Sequence, residues 1–167
     1  MQMISRACIV IFLLLSLSSA AQQPATPKEL SDHIDDISDS LSKLGKAWAK
    51  QLNTSVYSKS FDSLTSIRTR MQAFIAEKRT GLNVLPDIKG SKKFVASMIA
   101  FLDFEASMMK DAFLPMEKLD GNSSQNDINN AFKKLVEIGK KENEELEKVY
   151  DQQVEYSKKN KFKIRDE

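Results

Sequence analysis

The sequence predicts an all-α fold, an antiparallel up-down-up-down four-helix bundle. Three observations carry that expectation. Four segments space their apolar residues by three and four, as one face of a helix requires. No segment sustains the alternation of a half-buried strand. The connections are short and rich in Gly, Pro, Asn and Ser, which makes consecutive helices antiparallel neighbours.

Taken in order, Thr26-Pro27 supplies an N-cap and a first-turn proline, and Glu29 stands where a capping box needs it. The first helix follows, with Leu30, Ile34, Ile37, Leu41, Leu44 and Trp48 on one stripe. "NTS", residues 53–55, is the expected turn. The second helix carries Tyr57, Phe61, Leu64, Ile67, Met71, Phe74 and Ile75, and Thr80-Gly81 is its expected end. "LNVLPDIKG", residues 82–90, is the longest loop, with apolar residues able to plug one end of a bundle. Ser91 is the expected cap of the third helix.

Residues 94–116, "FVASMIAFLDFEASMMKDAFLPM", form an apolar stretch of bilayer-spanning length. Asp103, Glu105, Lys110 and Asp111 argue against a lipid-exposed span. Ala96, Ala100, Asp103, Ser107 and Lys110 recur as one weak face, opposite Val95, Met98, Ile99, Leu102, Met109 and Phe113. That pattern predicts a helix packed by two neighbours and wet along one strip. Pro115 cannot donate a hydrogen bond to Asp111, which predicts a kink or an end there. "DGNSSQND", residues 120–127, reads as a turn with Ser124 and Asp127 as caps. The fourth helix is the longest, with Ile128, Phe132, Leu135, Gly139, Glu142, Leu146, Val149, Gln153 and Tyr156 in unbroken register.

The first residues read as an export signal. Arg6 precedes an apolar run at residues 7–17, and "SLSSAA" follows with small residues suited to signal peptidase. Residues 1–21 are thus expected to be cleaved, taking Cys8, the sole cysteine, with them. Residues 22–26 form a polar leader, and residues 27–167 one helical domain without a disulfide. Loss of Arg6 lowers the formal charge from +2 to +1, a balance that does not point to nucleic acid. The basic end "KKNKFKIR", residues 158–165, reads foremost as a solvated helix terminus whose lysines suit the helix dipole.

Two clusters invite chemistry. "ELSDHIDDISD" sets Asp32, Asp35, Asp36 and Asp39 near a helix start, beside the sole histidine, His33. Hard cations take carboxylate oxygens, so these four are candidate metal ligands. A continuous helix does not wrap an ion as a loop does, however, and acids suit a helix N-terminus for dipole reasons alone. The second cluster comes from register. Glu105 lies in the apolar stripe between Leu102 and Met109, and Glu142 in the stripe between Gly139 and Leu146. Folding the hairpin near Gly121-Asn122 brings Glu105 within a turn of Glu142, and a similar count across the preceding loop brings Arg68 near Glu105. Arg68, Glu105 and Glu142 are therefore a candidate ligand-binding layer, weighed against a polar layer that fixes helix register. Met71, Met98, Met108, Met109 and Met116 lack a repeated spacing and read as core filling, not a copper site. One histidine cannot supply paired Glu-x-x-His motifs, and no Cys-x-x-Cys-His or Gly-rich phosphate loop is present. No catalytic residue and no cofactor is implied.

"LPDIKGSKKFVASMIAFLDFEASMMKDAFLPMEKL", residues 85–119, resembles the middle of a family of exported Gram-negative bacterial proteins. These are known only as uncharacterised surface proteins with a helical bundle. The basic "SIRTRMQAFIAEKR", the loop from Pro86 to Gly90, "FLDFE" and the closing "VEYSKKNKFKI" are similar to the same family. The resemblance spans residues 57–164. It implies a helical bundle exported to the periplasm or cell surface, and no catalytic residues. It also makes the sequons at Asn53 and Asn122 incidental. The expectation is a non-enzymatic envelope protein, monomeric, that binds an envelope protein or surface component or plays a structural role. The alternative is a small-ligand or metal-binding bundle.

Overall fold

The computed structural model describes residues 23–165. The expected signal peptide, residues 1–21, lies outside the described residues. Within them the chain is all-helical, and no strand occurs. Four long helices dominate: α1 (Pro27–Ser58), α2 (Leu64–Asn83), α3 (Lys92–Met108) and α5 (Gln125–Asn160). A π-helical turn (Met109–Phe113) and a short α4 (Leu114–Glu117) prolong α3. Among the described residues no helix is long and apolar enough to cross a membrane.

Local chemistry sets most boundaries. Thr26 accepts from the Glu29 amide while the Glu29 carboxylate accepts from the Thr26 amide, and Pro27 opens the first turn, so α1 begins with a complete capping box. Ser124 and Asp127 make the same reciprocal box at the start of α5. Lys59 and Lys161 close α1 and α5 in the left-handed conformation, each donating its amide back into the last turn.

Three expectations are corrected. The turn at residues 53–55 is helix, and α1 runs on to Ser58. Leu52 and Ser55 are buried and continue the steps of four and three from Trp48, so packing carries the helix through a stretch that holds no Gly or Pro to break it. Tyr57 therefore belongs to α1 and is 91% exposed, while Phe61 fills the turn and is buried. Ser91 precedes α3 in a helical conformation and does not cap it; its hydroxyl accepts instead from the Ile88 amide at 3.0 Å, pinning the preceding loop.

Residues 109–113 explain what Pro115 does. Met109 accepts a bond from the amide of Leu114, five residues on, so the chain takes one wide turn before the proline. The kink expected near Asp111 is this turn. It carries Phe113 onto Trp48, whose rings stack at 3.7 Å and 13°. All five methionines between residues 71 and 116 are buried in the core. The weak face of α3 is as expected: Ala96, Ala100, Asp103, Ser107 and Lys110 are exposed.

α3 packs on α2 and α5, and α1 packs on α2 and α5, so α1 and α3 stand diagonally across the core. α3 and α5 meet along the tightest seam, and α1 and α5 along the loosest of these helix pairs.

Candidate functional site: a closed seam and an open groove on α5

On the closed side of α5, Glu105 and Glu142 stand side by side between α3 and α5. Glu105 is only 1% exposed, and its Oε1 has no hydrogen-bond partner among the described residues. Burial, then the Glu142 carboxylate beside it, pushes the Glu105 carboxyl up to about 8. Burial raises Glu142 as well. With Glu105 buried and Glu142 part-buried beside it, the two do not both ionise at neutral pH, and the pair keeps a proton. The stripe positions of these residues in the sequence foretell this meeting.

Arg68 is not part of the pair. Its Nε donates to Glu117 Oε1 at 2.5 Å and its guanidinium also reaches Gln72, while Thr65 donates to the other Glu117 oxygen at 2.9 Å. The physical reason is an unlevel loop. Arg79 pairs with Asp103 and Arg68 with Glu117, which puts Glu105 level with residues near 78 on α2. That is roughly ten residues, or ~15 Å, from Arg68. α3 overshoots the end of α2, and a count that assumes a level hairpin misplaces the arginine. Glu117 is the partner that the sequence reading did not single out.

The four aspartates of α1 do not converge. Asp32 pairs with Lys28. Asp36 and Asp39 hold Arg165 at 2.8 Å and 2.7 Å. Asp35 Oδ1 accepts from Gln153 Nε2 at 2.7 Å, and the same amide reaches Ser31 Oγ at 2.9 Å. Among the described residues no three His, Cys, Asp or Glu side chains are placed to hold a metal ion. His33 faces α2; burial, then the Lys78 ammonium, lowers its pKa.

On the open side of α5 lies a groove against α1, about 960 Å³ in volume. Ile34 and Val149 form its buried floor, and Leu146 (39% exposed) and Tyr150 (57% exposed) stand on the α5 wall. Ser38, Ser42 and Lys46 form the α1 wall, and Ile164 and Arg165 fold back from the end of α5 to close one end. Gln153 is the polar tie at that end. Asp35 Oδ2 is buried there without a partner, and burial raises the Asp35 pKa. Leu146 is thus not a core residue, although it keeps the apolar register of α5. The residues facing it on α1 are short or polar, and the helices stand apart. The signal for this lay in α1, where Ser38, Ser42 and Lys46 form a second stripe beside the apolar one.

Comparison of the chain with family models, with curated proteins and with solved structures finds no match.

Proposed function

We propose that this chain is a non-enzymatic exported binding protein of the periplasm or cell surface. In this reading a signal peptide at residues 1–21 is removed and the remainder acts as a monomeric up-down-up-down four-helix bundle that holds an envelope partner. The observation that supports it best is the α1–α5 groove. It combines a dry apolar floor, two exposed apolar side chains and unpaired polar groups, the mixture that recognition grooves use to anchor and orient a ligand. The occupant that suits it is a segment of a partner protein with an apolar anchor beside a cation. Glu147 on the groove wall supplies the carboxylate for it and has no ion pair among the described residues.

The test is positional. A photo-cross-linking residue at Tyr150 or Ser42, introduced in intact cells, is expected to give the same adduct. The same residue at Tyr57, exposed but outside the groove, is expected to give none, and Leu146→Glu is expected to abolish the Tyr150 adduct. Adducts that ignore position, or none at all, contradict the reading.

A second reading places a small ligand or metal ion at the Glu105–Glu142 pair. The unpartnered Glu105 Oε1 favours it. A thermal shift of several degrees with one divalent cation, lost in Glu142→Gln, supports this alternative. No shift with any ion leaves the pair as a device that fixes register.

A further inference from the structure

The end of the molecule where α3 begins and α5 finishes gathers lysines from three separate segments. Lys89 comes from the loop, Lys92 and Lys93 from the first turn of α3, and Lys158, Lys159, Lys161 and Lys163 from the last turn of α5 and the residues after it. All seven are exposed, and none pairs with a carboxylate among the described residues.

Tertiary contacts, not sequence proximity, hold them together. Tyr156 donates its hydroxyl to the Ile88 carbonyl at 2.7 Å, and its ring packs on Phe94 at 5.5 Å and on Phe162 at 5.8 Å. One aromatic side chain thereby ties the loop, α3 and the residues after α5 into one surface. Gly90 has φ +82°, and the space that a side chain there would need is filled by the Lys159 ammonium, so the loop lysines and the α5 lysines are in direct register. Asp87 and Glu155 line the same shallow hollow as Lys92, Lys93 and Lys159. The acidic start of α1 packs on the late turns of α5 through Ser31, Asp35 and Gln153, and three of its four aspartates are engaged by Lys28 and Arg165.

Seven unpaired lysines gathered on one end of the molecule match an anionic bilayer surface, where ammonium groups meet lipid phosphates. A soluble polyanion uses the same charges and is told apart by retention on heparin without a vesicle preference.

We propose that this lysine-rich end docks the protein on anionic phospholipid headgroups, with Lys89 and the first turn of α3 toward the membrane. This goes beyond the groove reading: the cap would hold the molecule at a bilayer surface whatever occupies the groove.

The test is co-sedimentation of the full chain with vesicles of equal parts phosphatidylglycerol and phosphatidylcholine, against pure phosphatidylcholine. The excess binding to anionic vesicles is the readout, because it cancels any contribution of the apolar residues 7–17. Each lysine near such a surface contributes about 1 kcal/mol, or roughly fivefold, at best. The expected excess is at least about tenfold at low salt, falling steeply as salt is added. Changing Lys89, Lys92, Lys93, Lys159 and Lys161 to Gln together is expected to remove it. Changing Lys43, Lys50, Lys133, Lys134 and Lys140 to Gln removes the same charge elsewhere and is expected to retain it. Circular dichroism checks that each variant stays helical. Three results overturn the proposal: equal binding to neutral and anionic vesicles, equal loss in both lysine variants, or retention on heparin with no vesicle preference.

Discussion

The two sides of α5 differ in kind. Toward α3 the seam is shut, lined by side chains such as Met98, Leu102 and Phe94, and it holds the Glu105–Glu142 pair, whose Glu105 carboxyl is pushed up to about 8. Toward α1 the seam stands open, with Leu146 and Tyr150 exposed across from serines and a lysine. One helix, with one apolar stripe, is core on one flank and surface on the other. The difference teaches that periodicity assigns a residue to a face, while the side chains opposite decide whether that face closes. Large apolar residues on α3 fill the space, and short polar residues on α1 do not.

The comparison is broken hardest at Trp48. α1 has little purchase on α5; it packs chiefly on α2, and its Trp48 ring stacks on Phe113 at the π-turn. Trp48→Ala is expected to cost about 3–5 kcal/mol, read by denaturant unfolding. A loss below about 1 kcal/mol would mean that α1 is held elsewhere.

The closed seam has a pH signature. The Glu105 carboxyl is raised from 4.5 in the unfolded chain to about 8 in the fold, so between those values the folded state keeps a proton that the unfolded chain has released. Stability is therefore greatest at or below the unfolded value and falls as pH rises through the window, by about 1.4 kcal/mol per unit. Unfolding at pH 5 and pH 7 is expected to differ by about 2–3 kcal/mol in favour of pH 5. Glu105→Gln, which keeps the shape and donates to Glu142, is expected to flatten that slope and to stabilise the protein at pH 7. An unchanged slope in this variant means that the pair is not the origin.

The polar tie at the end of the groove is weaker. Gln153→Ala leaves Ser31 Oγ and Asp35 Oδ1 without their donor, a loss of about 1–2 kcal/mol by thermal or chemical melting. The smallest effect belongs to the open wall: Leu146→Ser is expected to change stability by less than about 0.5 kcal/mol. A cost like that of a core leucine would close the groove and end the binding proposal.

Much of this was legible in the sequence, and the gaps have physical causes. Glu142 in an apolar register announced the acid pair, Pro115 announced the wide turn, and Ser124 with Asp127 announced the start of α5. The end of α1 was hidden because residues 53–55 hold turn formers that burial overrides. Arg68 was misplaced because the loop between α2 and α3 sets its own offset, and nothing in its composition records how far α3 passes α2. Gln153 sat in the fourth stripe as plainly as Glu142, but its partners Ser31 and Asp35 lie more than a hundred residues away, and no count within a hairpin reaches them. The groove was hidden for a related reason: interhelical spacing depends on pairs of facing residues, and the facing helix is distant in the chain.

Thiol accessibility along α5 tests the contrast between its flanks most directly. In a Cys8→Ser background, which removes the sole cysteine, single cysteines replace Ile138, one turn before Glu142 on the buried stripe, and Leu146, one turn after it. Under native conditions the Leu146→Cys thiol is expected to react within about tenfold of the unfolded chain, and the Ile138→Cys thiol at least about a hundredfold more slowly. Equal protection at both positions, with each thiol reacting only on global unfolding, would contradict the open seam and the binding function built on it.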